Sequence, residues 1–150
     1  MLILRPSRIA ILTFTLALSL AAEEELLVIN APSVTVPLEG TGRVLKYDRQ
    51  FSVSRRIAEQ VYENIAYGRK RPIDAVKAIE AAKASVFVGD SEVPLQVTKL
   101  ELLKVEIGPH EKLEYFMITV RVTGTEEHRV VLLDGTILKP KIKQAPPDTK

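Results

Sequence analysis

Two histidines stand among carboxylates. His110 precedes Glu111 and Glu114, and His128 follows Glu126 and Glu127. An imidazole beside carboxylates is the raw material of metal ligation and of general acid–base work. Neither cluster places two histidines at helical spacing or forms a zinc-type pattern, and both read as turns between strands. The expectation is solvated loop charge, with no metal site and no cofactor. Cysteine is absent, which removes thiol nucleophiles, thiolate ligands and disulfides. Spacing singles out no pair of acids for hydrolysis, so no set of residues reads as an active site.

The other group with chemical character is basic. Tyr67-Gly-Arg-Lys-Arg71 lies between two helical patterns, and Arg69, Lys70 and Arg71 are the candidate binding residues. A helical hairpin with a short glycine-containing turn is the outline of a helix-turn-helix reader of DNA. The second helix, however, offers only Lys77 and Lys83 as cations, and its many alanines cannot read base edges. A cationic turn at the negative C-terminal end of the first helix accounts for the cluster equally well.

A third feature is Phe87-Val-Gly-Asp-Ser91, which resembles the Gly-Asp-Ser box of the GDSL-type esterases. That resemblance implies a strand delivering Ser91 as nucleophile, with an Asp-x-x-His near the C-terminus supplying the base. This chain has Glu92 where the family has an apolar residue, and Thr125-Glu-Glu-His128 where the second motif belongs. Only 59 residues follow Ser91, too few for the rest of that fold. The expectation is therefore a hairpin turn in which Asp90 and Ser91 satisfy local backbone groups.

The first residues suggest where the protein works. Arg5 and Arg8 precede an uncharged run of fourteen residues, Ile9 to Ala22, which ends in Ser19-Leu20-Ala21 before an acidic triplet. A positive flank, an apolar run and a small-x-small site are the parts of a secretory signal, expected at residues 1–21. The run is short for a permanent membrane span, so an uncleaved anchor is the lesser alternative. Without the leader, nineteen basic residues balance nineteen acidic ones, which argues against a general attraction for nucleic acid or anionic lipid. The charge is uneven: residues 43–71 carry +5 and residues 72–138 carry −4. Few Asn and many Lys, Arg and Glu are the composition of a heat-adapted protein.

These groups are held by strands, then two helices, then strands again. Residues 22–42 read as an extended N-terminal strand segment interrupted by Pro32 and Pro37. Residues 24–38 of it suit an arm that pairs with a sheet edge, in this chain or in a second copy. Residues 43–139 read as one α+β domain: an antiparallel sheet with a two-helix hairpin packed on one face. Its first helix is capped by Ser52 or Ser54 and carries Ile57, Val61 and Ile65 at four-residue spacing. Its second starts at Pro72, with Ile73, Val76 and Ile79 on one face. The strongest strand alternates Phe116, Ile118, Val120 and Val122 with Tyr115, Met117, Thr119 and Arg121, giving one core face and one mixed face. Asp134-Gly135 reads as a two-residue hairpin turn, and residues 140–150 as a disordered tail. The functional expectation is an exported or envelope-associated domain that binds or assembles with a protein or envelope partner. A cytoplasmic nucleic-acid-associated protein is the alternative.

Overall fold

A computed structural model describes residues 24–86, 94–122 and 124–144. The expected signal at residues 1–21 and the Gly-Asp-Ser sequence at residues 89–91 lie outside the described residues. The fold is α+β, in the order β1 (Leu26–Asn30), β2 (Val34–Pro37), β3 (Val44–Ser54), α1 (Arg55–Ala66), α2 (Ala75–Ala84), β4 (Gln96–Glu106), β5 (Lys112–Val122), β6 (Thr125–Leu132), β7 (Ile137–Leu138) and β8 (Pro140–Gln144). Two antiparallel sheets result, one built around β3 and the other ordered β4-β5-β6-β7.

The N-terminal segment folds back on its own chain. Leu26 to Asn30 pair with Ser54 to Gln50, and Val34 to Pro37 pair with Tyr47 to Val44. The register slips by one between the two runs, at Ala31 to Ser33, where Pro32 has no N–H to give the ladder. Gly40 and Gly42, both at positive φ, turn the chain into β3. The other edge of β3 is covered by β8, with Tyr47 opposite Gln144 and Phe51 opposite Pro140. Residues 140–144, expected to be disordered, are therefore a strand. Composition suggested a tail, but Lys141-Ile142-Lys143 also alternates, and β3 offers a partner that composition does not reveal.

Both faces of β5 are buried. Leu113, Tyr115 and Met117 share a core with Leu27, Ile29, Phe51 and Val53 of the β3 sheet, and with Ala58 and Val61 of α1. Phe116, Ile118 and Val120 form a second core with Ala78 and Ala82 of α2. The face expected to be mixed is closed by the second sheet. The expected helix hairpin on one face becomes a helix in each core. Each fully buried Leu, Ile, Val or Phe here contributes about 1.5–3 kcal/mol of transfer free energy.

Local chemistry explains the helix ends. The Ser54 hydroxyl accepts from the Ile57 N–H, and the Asp74 carboxylate accepts from the Lys77 N–H. The second helix thus starts at Ala75 rather than at Pro72, because Asp74 is the N-cap and its backbone is extended, while the Ile73 N–H before it bonds the Leu133 carbonyl. Its buried side is Ala78 and Ala82, while Val76 faces solvent. Alanine lets the helix sit close on the sheet, so the small residues face inward. The β6–β7 loop runs from Leu133 to Thr136, four residues where a two-residue turn at Asp134-Gly135 was expected, and the Leu132 N–H on the Thr136 carbonyl closes it. Gly135, at φ 92°, takes the left-handed position that such a loop needs.

Candidate functional site

The apolar rows between the sheets give way to polar ones toward one end of the sandwich. Across β4, β5 and β6 the rows run Glu101–Met117–Val130, then Lys99–Thr119–His128, then Gln96–Arg121–Glu126. Opposite them, β2 presents Val34 and Val36 after the Pro32-Ser33 bend. Where the rows turn polar the sheets enclose a cleft of about 780 Å³, with Val34, Val36 and Met117 as apolar lining and Thr119, His128, Lys99, Glu101, Arg121 and Glu126 as polar lining. Ligand sites fall in this size range and combine apolar walls with a few convergent polar groups.

His128 is the unusual member. It is 4% exposed, and its Nδ1 is buried with no hydrogen-bond partner among the described residues. Burial first, then the positive charge of Arg49, holds its pKa below the ordinary histidine value, against the opposite pull of Glu126 and Glu127. The sequence pointed instead to an exposed turn. Gly124, at φ 83°, closes the turn earlier, so β6 already starts at Thr125 and carries His128 into the sandwich. His110, by contrast, is exposed as expected.

Arg49 of β3 lies behind His128. Strand β7 pairs only with Val130 and Val131, which leaves the edge of β6 at Glu126–Arg129 uncovered among the described residues. Arg49 reaches that edge, donating from Nη1 to the Glu126 carbonyl and from Nη2 to Glu127 Oε1, both at 2.9 Å. Glu127 is shared, because Arg129 Nη1 stands 3.2 Å from its other oxygen. Two further ion pairs line the cleft, Lys99–Glu101 at 2.8 Å and Arg121–Glu126 at 3.2 Å. Arg49 Nε, like His128 Nδ1, is buried without a partner among the described residues. Nothing in the sequence pairs Arg49 with residues almost eighty positions away, so this network was missed; a lone Arg in an otherwise alternating strand was the one available signal.

The basic turn lies elsewhere. The Arg69 guanidinium stands 5.6 Å from the centre of the Tyr67 ring, within cation–π range. Lys70 pairs with Asp134 at 3.9 Å and donates its N–H to the Asn64 carbonyl. Arg71 is exposed. The structure thus separates Arg69, Lys70 and Arg71 from the cleft and ties the middle one to the β6–β7 loop. Among the described residues, no group of three or more His, Asp or Glu side chains could hold a metal ion. No described helix is long and apolar enough to cross a membrane. Comparison with protein-family models, curated proteins and solved structures finds no match for this chain.

Proposed function

We propose that this chain is an exported, envelope-associated binding domain whose ligand occupies the cleft between the two sheets. The observation that carries the reading is His128, a buried imidazole that lines the cleft and whose Nδ1 has no hydrogen-bond partner among the described residues. Buried polar atoms are normally satisfied, and one left over beside a cleft is a place for a ligand atom. The export half rests on Arg5, Arg8, the apolar run to Ala22 and the small residues before it. Association with nucleic acid through Arg69, Lys70 and Arg71 has less support, since α2 turns its alanine face into the sheet and shares no core with α1. Self-association through residues 24–38 belongs to the proposal as well, because the outer edge of β1 and β2 has no strand partner among the described residues.

Native mass spectrometry on protein taken from its own cells tests both halves. The expected species starts at Ala22 or within a residue or two of it, comes from the envelope or exterior fraction, and carries a noncovalent small-molecule adduct. Val36→Trp, which fills the cleft from β2, removes the adduct. A cytoplasmic species that retains Met1 ends the export half. An adduct that survives Val36→Trp ends the cleft half.

A further inference from the structure

We propose that a second copy of this chain docks on the open edge of β4, antiparallel and about a two-fold axis at Leu102. The β4-β5-β6-β7 sheets of the two copies then form one continuous sheet. This surface is separate from the cleft and from residues 24–38.

Strand β4 runs for 11 residues and, among the described residues, pairs only with β5. An open edge invites pairing with another chain, and folded proteins guard it with short strands, prolines, bulges or free lysines. The other edges are short, broken or capped. Strand β7 holds two residues, and β8 holds five, starts at Pro140 and carries Lys141 and Lys143. The outer edge of β1 and β2 is split into runs of five and four residues around Pro32. On the edge of β6, Arg49 and Arg129 cap the carbonyls of Glu126 and His128. Strand β4 has no proline, and its bulge between Val97 and Lys99 leaves Lys99 to Glu106 in regular register. Both of its lysines are committed within the chain, Lys99 to Glu101 at 2.8 Å and Lys104 to Glu114 at 2.6 Å.

An apolar row points to a second copy as the occupant. Leu102 pairs with Phe116, Phe116 with Val131 and Val131 with Ile137, one residue from each strand of the sheet. Phe116 and Val131 are buried in the core with Ala78 and Ala82 of α2, yet Leu102, at the end of the row, is 51% exposed. The two-fold axis sets Leu102 against its own counterpart, and the row runs on through the second sheet. Cross-strand apolar pairs of this kind are what stabilise a sheet.

The charges of β4 suit the same axis. Glu106 stands 3.8 Å from Lys112, so all four charged side chains of the strand are paired within the chain, and their sum is zero. With the axis at Leu102, Leu100 faces Lys104 and Glu101 faces Leu103, so no charge opposes a like charge. An axis one residue earlier would oppose the two Glu101 carboxylates, which is destabilising. A self-complementary patch of this sort closes as a two-fold dimer.

Sedimentation velocity over a concentration series tests the association on the intact protein, and changes at Leu102 test its geometry. The wild type is expected to pass from monomer to dimer as concentration rises. Leu102→Lys and Leu102→Glu each set like charges face to face across the axis and are expected to weaken the dimer about tenfold. Mixed in equal amounts, the two variants are expected to recover the lost affinity, because opposite charges then meet. The chain has no cysteine, so Leu102→Cys gives a second readout with a small neutral side chain: oxidation is expected to link two copies at that position. A monomer at every concentration overturns the proposal, as does a dimer that both charge variants leave intact. A link formed by Val28→Cys of β1 and not by Leu102→Cys assigns assembly to residues 24–38 and overturns it as well.

Discussion

Arg49 Nη2 and Glu127 Oε1 stand 2.9 Å apart and join the central strand of one sheet to the uncovered edge of the other. Without that bond, and its companion on the Glu126 carbonyl, the two sheets at this end would meet only through the polar rows of the cleft. Arg49→Ala leaves Glu127 with Arg129 alone and strips the donor from a carbonyl on an unpaired edge. The expected loss is about 1.5–3 kcal/mol, the scale of a hydrogen bond to a charged group, since Glu127 keeps Arg129; it is read from urea unfolding. Arg49→Lys should recover little of it, since an ammonium cannot serve the carbonyl and the carboxylate in the same fork.

His128 makes stability depend on pH with a definite sign. Its folded-state pKa lies below the 6.5 of the free side chain, so the unfolded chain takes up the proton first. Stability contributed by the neutral imidazole is complete above the unfolded value, is lost as pH falls from there toward the folded value, and levels off below it. Arg49 and Arg129 oppose protonation, and Glu126 and Glu127 favour it. Chemical denaturation between neutral and mildly acidic pH should show this loss in the wild type and a flatter profile in His128→Gln. Equal slopes would contradict a buried neutral histidine.

The helix caps give smaller, independent effects. Ser54→Ala and Asp74→Ala should each cost about 1 kcal/mol, and their effects should add, since they cap helices packed in separate cores. Thermal or urea unfolding of the two single variants and the double variant measures this.

Ser54, Gly68 and the alternation of β5 could be read from the sequence because each depends on local backbone chemistry: a hydroxyl that caps, a glycine at positive φ, a period of two. What could not be read depends on partners distant in sequence. Thr119 looks like the polar side of a half-exposed sheet and His128 like part of an exposed turn, until β6 starts at Thr125 and the other sheet covers both. Ile73 and Val76 look like the buried stripe of α2, yet Val76 is 63% exposed because the alanine side allows closer approach. The strand at Pro140–Gln144 exists through its ladder to β3, and the short alternation around Ile142 does not by itself announce that partner. The bulge between Val97 and Lys99 in β4 likewise depends on the pairing with β5 and has no local signal.

That last strand of the fold supplies another test. Ending the chain at Lys139 removes β8 and exposes the edge of β3 beside Phe51, which is fully buried in the complete chain. An open strand edge invites pairing with other chains, so the truncated protein should unfold at a lower temperature and show concentration-dependent aggregation. Light scattering during a thermal ramp reports both. An unchanged midpoint would mean that β8 adds nothing to the sheet.

The cleft as a binding site is tested most directly by a crystal structure of protein purified from its own cells without unfolding. The account predicts ordered density of a bound molecule between β2 and β5, with an acceptor atom against the His128 imidazole and apolar atoms along Val34, Val36 and Met117. A cleft closed by its own side chains, or filled by water alone with His128 Nδ1 bonded to a protein group, would contradict it.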